Sequence, residues 1–176
     1  MDKVAHYKGI VPDYENMFDL LEQIPEDMYT YAESEYDDDE YMYKLIEQKT
    51  KLYGYYEYYE EWLKRYFKKV CNIDTDINFC ILNKYNTKHA IGWHDDYGIS
   101  SAVTLSFGAT RKLKFRNKHT EKEVGEFTLD AGDLFIFHSS IDNDHEHCVP
   151  PDINVKGNRY CMLFDITSNS IDVLKS

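Results

Sequence analysis

Apolar positions change their spacing about halfway along the chain, which separates a helical front from a strand-rich back. In residues 55–70, aromatic and aliphatic side chains recur every three or four positions, the spacing of an amphipathic helix packed on a core. A shorter helix is predicted over residues 14–23, with Asp13 as its N-cap after Pro12. We interpret the tyrosines of the longer helix as core residues; a platform for stacking nucleic-acid bases is the alternative.

From residue 77 onward, short apolar or alternating runs follow one another and are separated by polar turns. Strands are predicted at residues 77–82, 103–107, 112–116, 126–129, 134–137 and 160–166. Short strands at this spacing are typical of an all-β sandwich or barrel, and a jelly roll is one such form. The expected fold is therefore mostly β, with flanking N-terminal helices.

Length and composition indicate one domain over residues 1–176, because 176 residues with 43% hydrophobic side chains can bury a single substantial core. The first residues lack the apolar segment of a signal peptide, and no run of 18 apolar residues occurs. The four cysteines show no C-x-x-C spacing, which predicts reduced thiols. We expect a soluble intracellular monomer, cytoplasmic or nuclear, that does not associate with membranes.

The net charge of −12 lies entirely in the N-terminal part. Residues 1–61 hold 17 acidic and 5 basic side chains, whereas residues 62–176 hold 15 of each. The densest acidic run, at residues 33–41, is predicted to be a solvated loop or helix face; metal binding or protein docking is the alternative. The overall charge therefore does not exclude a nucleic-acid partner for the rest of the chain.

A basic segment covers residues 111–118, with five Lys or Arg side chains and no acidic one. Leu113 and Phe115 alternate with charged residues, so a strand here would bury the apolar pair and align the charges on the other face. Such a ribbon could meet nucleic-acid phosphates. A sheet edge that lysines protect against aggregation is an equally good interpretation.

Candidate metal ligands occur in two places in the strand-rich half. His94 and Asp96 stand two residues apart, and on an extended backbone such positions face the same side. Two histidines and one carboxylate suit non-haem iron(II), although zinc hydrolases use similar ligands. The third ligand would come from residues 145–147, which hold a histidine at each end.

Five blocks occur in order between about residues 78 and 164. They are Asn83-x-Tyr85 followed by His94-x-Asp96, Thr104-Leu-Ser-Phe-Gly-Ala-Thr-Arg111 with Lys114-Phe-Arg116, Gly132-Asp-Leu134, His147-Cys-Val-Pro150, and Arg159-Tyr-Cys-Met-Leu-Phe164. In this order they resemble the motifs of the AlkB family of Fe(II)- and 2-oxoglutarate-dependent dioxygenases, in its nucleic-acid demethylase branch. The resemblance implies a double-stranded β-helix, or jelly roll, as the catalytic core over residues 77–168, and a helical region for substrate recognition and support over residues 1–76.

The resemblance also implies roles for individual side chains. The iron ligands, which are also the catalytic residues, are His94, Asp96 and His147. The residues that bind 2-oxoglutarate are Asn83, Tyr85 and Arg159, and a planar guanidinium suits a carboxylate. The residues on the substrate side are Arg111, Arg116 and Trp93.

The activity that the resemblance implies is oxidative demethylation of alkylated bases in DNA or RNA. It would use Fe(II), 2-oxoglutarate and O2, and release succinate, CO2 and formaldehyde. Hydroxylation of a protein, peptide or small molecule is the alternative for an active enzyme. One position departs from the family, which has a second arginine where this chain has Asp165. A carboxylate on the strand face of Arg159 predicts repulsion of 2-oxoglutarate, so a catalytically impaired binding protein is the third interpretation.

Overall fold

A computed structural model of the protein describes residues 1, 3–33, 40–46, 53–96 and 98–168. The strands in these ranges are β1 (Val4–Tyr7), β2 (Thr30–Glu33), β3 (Glu40–Ile46), β4 (Thr75–Tyr85), β5 (Ile91–His94), β6 (Ser101–Gly108), β7 (Arg111–Asn117), β8 (Glu123–Leu129), β9 (Leu134–His138), β10 (His145–Val149) and β11 (Arg159–Ser168). The helices are α1 (Tyr14–Leu21) and α2 (Tyr53–Cys71), and short 3₁₀ turns lie at Glu26–Met28 and Ser139–Asn143.

The strands form two antiparallel sheets. The large sheet has seven strands in the order β1-β9-β6-β11-β4-β3-β2, and the small sheet has four in the order β5-β10-β7-β8. Leu113 and Phe115 of the small sheet join one buried cluster with Cys161 and Leu163 of the large sheet, so the two sheets face each other. This arrangement confirms the prediction of a mostly β jelly roll with flanking helices.

The helices cover the other face of the large sheet. Tyr56, Tyr59, Leu63 and Phe67 follow one side of α2 and are at most 1% exposed. They join a second buried cluster, to which α1 and strands β4, β6 and β11 also contribute. Burial of each Leu or Phe side chain contributes about 1.5–3 kcal/mol, so this layer is a main source of stability. Most α2 tyrosines are thus core residues, as predicted. Within the described ranges, no helix is long and apolar enough to cross a membrane.

The start of α1 differs from the prediction. Asp13 precedes the helix with a φ of 51°, in the left-handed region, and its side chain makes no capping hydrogen bond. Instead the Asp13 carboxylate accepts a hydrogen bond from the Tyr58 hydroxyl at 2.7 Å, which links the two helices. The α-helix ends at Leu21, and the backbone amides of Gln23 and Ile24 donate three residues back, which closes a tighter last turn.

Residues 1–76 are not purely helical, which corrects the predicted helical front. β1 pairs with β9, and β3 and β2 extend the large sheet beyond β4. The short β1 is half-buried at all four positions, so it lacks the alternation from which a strand is predicted. The prediction for the acidic run at residues 33–41 falls mainly on residues outside the described part of the chain.

β7 lies between β10 and β8, so its interpretation as a protected sheet edge is wrong. Its apolar pair is buried, as predicted, and Arg111 is buried on the same face, whereas Lys112, Lys114 and Arg116 lie on the other face. There Lys112 Nζ is 2.8 Å from Glu126, and Lys114 Nζ is 3.1 Å from Glu123, both on β8. The lysines of the basic ribbon are therefore paired across strands, which the sequence spacing alone does not reveal.

Candidate metal and co-substrate site

Three side chains with metal-binding donors meet between the sheets. His94, Asp96 and His147 each offer one ligand atom, and these atoms lie within 4.8 Å of one another. Asp96 Oδ1 is 3.7 Å from His94 Nε2, and Asp96 Oδ2 is 3.4 Å from His147 Nε2. Two imidazoles and a carboxylate around one point are the donor set of non-haem Fe(II) sites, which keep further coordination positions for other ligands.

Strand register and one bulge bring these donors together. His94 of β5 and His147 of β10 are paired residues, whereas Val149 pairs with Ile91, so β5 holds one extra residue. Because of this bulge, His94 and Ile91 both face the cavity although they are three positions apart. Asp96 follows immediately beyond β5.

The structure also selects between the two histidines that the sequence spacing leaves open. His145 lies beside Met1 and Lys3, in a separate hollow. His147 is 5% exposed and lines the same cavity as His94. His147 is therefore the histidine that completes the triad.

The surroundings of the triad fit a bound divalent metal. The His94 Nδ1–H donates to the carbonyl of Gly92 at 2.8 Å, which fixes the tautomer and leaves the Nε2 lone pair for a metal. Asp96 Oδ2 is buried and has no hydrogen-bond partner of normal geometry; the nearest imidazole nitrogen is His147 Nε2 at 3.4 Å. Buried polar atoms are rarely left without a partner, so an orphaned carboxylate oxygen between two imidazoles fits a metal ligand.

Asp96 is held in its charged form. Burial by itself raises the pKa of this carboxyl, but the polar contact with His147 and the electrostatic influence of His147 and His94 outweigh it and hold the pKa below its ordinary value. The carboxylate is therefore available as an anionic ligand at neutral pH.

The triad opens onto a cavity of about 220 Å³ between the sheets. This volume is below the roughly 300 Å³ at which drug-sized pockets begin, as expected for a small organic acid. Most of the wall is apolar, with Leu113 and Phe137 among its residues. Its polar side chains besides the triad are Asn83, Tyr85, Thr104 and Arg159. The structure thus brings all three predicted co-substrate residues to the cavity that the triad lines.

Arg159 is the notable charge in this wall. It is 2% exposed, its Nη2 donates to the Ser106 hydroxyl at 3.1 Å, and its Nε is buried without a partner. The guanidinium lies over the Tyr85 ring, 5.4 Å from the ring centroid. Among the described residues, no carboxylate lies within 4.0 Å of it. A buried cation without an anion requires compensation, which the carboxylate of a ligand supplies.

Sequence reasoning missed Ser106, Thr104 and Cys161. Ser106 is 1% exposed and orients the Arg159 guanidinium, while Thr104 and Cys161 line the cavity. The signal was present in β6, where Thr104 and Ser106 are polar residues two positions apart in an otherwise apolar strand. Period-two polar positions inside a buried strand indicate that one of its faces meets a polar cavity.

The structure corrects the predicted substrate contact of Arg111. This residue is 2% exposed, does not line the cavity, and donates to the carbonyls of Asn86, His89 and Pro150 at 3.2, 2.6 and 2.9 Å. Burial, followed by repulsion from Arg159, lowers the pKa of Arg111. Arg111 therefore ties two loops to β7 from inside the protein.

Arg116 and Trp93 lie together but outside the cavity. The Arg116 guanidinium is 4.6 Å from the centroid of the Trp93 ring, and its Nε donates to Glu146 at 2.5 Å. On the same strands, His147 and Phe115 face inward, so this group occupies the outer face of the small sheet. A substrate contact here would be made at the surface beside the cavity.

Asp165 does not act as the sequence predicts. It is 3% exposed but does not line the cavity. Its Oδ1 accepts from the backbone amide of Ser100 and its Oδ2 from the side-chain amide of Asn78, both at 2.7 Å. Both oxygens are therefore occupied away from the cavity. This corrects the prediction that the Asp165 carboxylate points into the cavity and repels 2-oxoglutarate.

A jelly roll with a two-histidine, one-carboxylate triad beside a buried unpaired arginine defines an oxygenase that uses iron and a keto acid. A model of the 2OG-Fe(II) oxygenase superfamily matches residues 5–164. The chain belongs to this superfamily, which uses Fe(II), 2-oxoglutarate and O2.

Individual relatives agree with this assignment. The chain is 31% identical over 107 residues to alpha-ketoglutarate-dependent dioxygenase alkB homolog 3 from Homo sapiens. The alignment covers 53% of this chain and 37% of the human protein, so the chain spans a little over a third of that relative. The structure of OsALKBH1 is similar at a TM-score of 0.59 and 12% identity, covering 93% of this chain and 97% of that one. A Pseudomonas putida prolyl-4-hydroxylase has a TM-score of 0.59 and 13% identity, covering 92% and 91%. These two structures show that the fold is shared.

Proposed function

We propose that this chain catalyses the Fe(II)- and 2-oxoglutarate-dependent oxidative demethylation of an alkylated base in DNA or RNA. The observation that carries the oxygenase activity is the unpaired, buried Arg159, which lines the same cavity as the His94, Asp96 and His147 triad. A metal site alone is compatible with many reactions. A metal site that shares a small cavity with a buried cation calls for an anionic co-substrate.

In this proposal, different side chains of the cavity bind the metal and the co-substrate. His94, Asp96 and His147 would hold Fe(II), and Arg159 would hold the distal carboxylate of 2-oxoglutarate. Asn83 and Tyr85, in the same wall, would orient the keto acid through hydrogen bonds. The bound iron and keto acid supply the oxidising chemistry. The apolar part of the wall excludes water from the reacting atoms.

Two findings support a nucleic-acid substrate. The five ordered motif blocks resemble the nucleic-acid demethylase branch of the AlkB family, and the alkB homolog 3 similarity extends over 107 residues. The stacked Arg116 and Trp93 pair provides a cation and an aromatic surface, which nucleic acids contact through phosphates and bases. In this proposal residues 77–168 form the catalytic core and residues 1–76 support it and help to recognise the substrate. The chain would act as a monomer in the cytoplasm or nucleus.

Two measurements test the proposal in sequence. Anaerobic titration with Fe(II) and then 2-oxoglutarate should produce the visible charge-transfer band of the chelate. Methylated single-stranded DNA and RNA oligonucleotides should then stimulate release of formaldehyde and succinate in equal amounts, with H147A as the inactive control. Absence of the band would contradict the oxygenase; a band without formaldehyde from any methylated oligonucleotide would contradict the substrate.

Hydroxylation of a protein, peptide or small molecule is the second candidate. It is favoured by the outer face of the small sheet, where Lys112 and Lys114 are already paired with glutamates and add little to phosphate binding. Succinate release that is stimulated by such a substrate, and not by methylated oligonucleotides, would select this function.

A further inference from the structure

Asp165 is a buried carboxylate with an unusual set of partners. Its two oxygens accept hydrogen bonds from the Ser100 backbone amide and the Asn78 side-chain amide. Within the described residues, no Lys, Arg or His nitrogen lies within 4.0 Å of it. Burial of a carboxylate costs several kcal/mol unless hydrogen bonds compensate, so these two bonds keep Asp165 in its place.

A bulge in β4 supplies one of the two partners. In the pairing of β11 with β4, Asp165 lies opposite Phe79, but the next residue, Ile166, lies opposite Ile77. Asn78 is therefore the extra residue of β4. In a regular ladder Asn78 would pair with Ile166 and share its face, toward the helices. The bulge instead directs the Asn78 amide to Asp165.

The second partner belongs to the segment that carries the metal ligand. Ser100 is four positions after Asp96, and between them the Ile99 amide donates to the Asp96 carbonyl at 3.2 Å. On the other side, the Ser139 amide donates to the Ser100 carbonyl at 3.2 Å. The bond from Ser100 to Asp165 therefore ties the end of this segment to the large sheet, while its beginning continues β5 of the small sheet.

We propose that Asp165 is a positioning residue for the metal site. By holding Ser100 it fixes the neighbouring Ile99, whose amide donates to the Asp96 carbonyl, so that the Asp96 carboxylate faces the two histidines. The inference rests on the metal centre of the proposed function. In this proposal Asp165 supports metal binding and does not repel 2-oxoglutarate, because its carboxylate accepts two hydrogen bonds from the protein and its side chain does not line the cavity. Replacing a residue that orients a metal ligand without touching the metal commonly lowers metal affinity about 10–100-fold.

The test measures binding of Co(II), a spectroscopic substitute for Fe(II), to four variants of the full chain under anaerobic conditions. D165A removes both bonds, and N78A removes one. D165N keeps an oxygen that accepts from Ser100. D133A is the matched control, because Asp133 is also a buried carboxylate (2% exposed) that accepts from His6, Gly9 and Asp130, none of which lines the cavity. Urea unfolding of the metal-free proteins reports stability separately.

We expect Co(II) affinity to fall about 10–100-fold in D165A and by less in N78A. It should stay within about threefold of the wild type in D165N and in D133A, even where D133A is as destabilised as D165A. D165N should also bind 2-oxoglutarate as the wild type does. Equal loss in D165A and D133A, or unchanged affinity in D165A, would overturn the inference, as would tighter 2-oxoglutarate binding by D165N. Failure of the wild type to bind Co(II) would overturn the metal centre itself.

Discussion

Both faces of β11 in the large sheet are buried, but they carry different chemistry. Toward the helices it presents Tyr160, Met162, Phe164 and Ile166, which are 0–4% exposed. Toward the small sheet it presents Arg159, Cys161, Leu163 and Asp165, which are 2–8% exposed. Alternation along one strand therefore separates a stabilising face from a face that holds the site.

Burial by itself therefore does not indicate what a residue does. Phe164 needs only packing, and its removal leaves a cavity. Arg159 and Asp165 need partners: both oxygens of Asp165 accept hydrogen bonds from the protein, whereas Arg159 Nε is buried with no hydrogen-bond partner among the described residues. Variants on the two faces should therefore separate stability from activity.

The largest expected effect is on the cavity side. Replacing Asp96 with Ala removes one of three metal ligands, so succinate release should fall more than about 10³-fold, equivalent to over 4 kcal/mol of activation free energy. Urea unfolding of the metal-free protein should change by less than about 1 kcal/mol, because Asp96 Oδ2 makes no hydrogen bond there. Retained turnover would remove Asp96 from the site.

On the helix side, we expect a large loss of stability with little loss of activity. Phe164 is 0% exposed and packs beside Tyr56, so F164A should lower the free energy of unfolding by about 3–5 kcal/mol. Turnover per folded molecule at low temperature should be close to that of the wild type. Loss of activity without loss of stability would show that the two faces are not separable.

Arg159 sharpens the comparison because it is buried and charged. R159M should weaken 2-oxoglutarate binding about 100-fold, or roughly 2.7 kcal/mol, because the distal carboxylate of 2-oxoglutarate loses its cationic partner. Unfolding of the ligand-free protein should be unchanged or require more urea, since an unpaired buried charge is removed. Titration of the charge-transfer band measures the affinity, and marked destabilisation would indicate a structural role instead.

The smallest effects are expected on the outer face of the small sheet, which faces neither the helices nor the cavity. K112A removes a lysine that is paired with Glu126, so urea unfolding and oligonucleotide affinity should both stay near the wild type. R116A should weaken binding of a single-stranded oligonucleotide severalfold and reduce its salt dependence. Fluorescence anisotropy at two salt concentrations compares the pair; equal behaviour of both variants would remove Arg116 from the substrate surface.

Much of the strand-rich half is predictable because its strands alternate or are continuously apolar, and their motif blocks keep a recognisable order. The strands missed are those without that pattern. β5 is four residues long and contains a bulge, and β10 begins with a polar His-Glu-His run. β5 is irregular and β10 is polar where they carry the triad histidines, since a site needs polar side chains that a continuously apolar strand would not hold.

The partners of the charged side chains of β7 were also not predictable from the sequence. Lys112 and Lys114 form an exposed basic ribbon in the sequence, but each lies within 3.1 Å of a glutamate of β8. Arg111 and Arg116 belong to the same basic segment, yet one is buried against three carbonyl groups and the other stacks on Trp93. Which partner a charge meets depends on strand neighbours that are remote in the chain.

The sequence by itself determined a mostly β fold class and the candidate donors His94 and Asp96, because periodicity and residue chemistry are local properties. The roles of His147 and Arg159 were implied by the order of the motif blocks. Only the tertiary structure decided that Arg111 donates to three buried carbonyl groups and that Asp165 is occupied by Ser100 and Asn78, and it placed His147 rather than His145 beside His94 and Asp96. These outcomes follow from strand register and from two bulges, and a shift of one residue in register moves a side chain to the opposite face of the sheet.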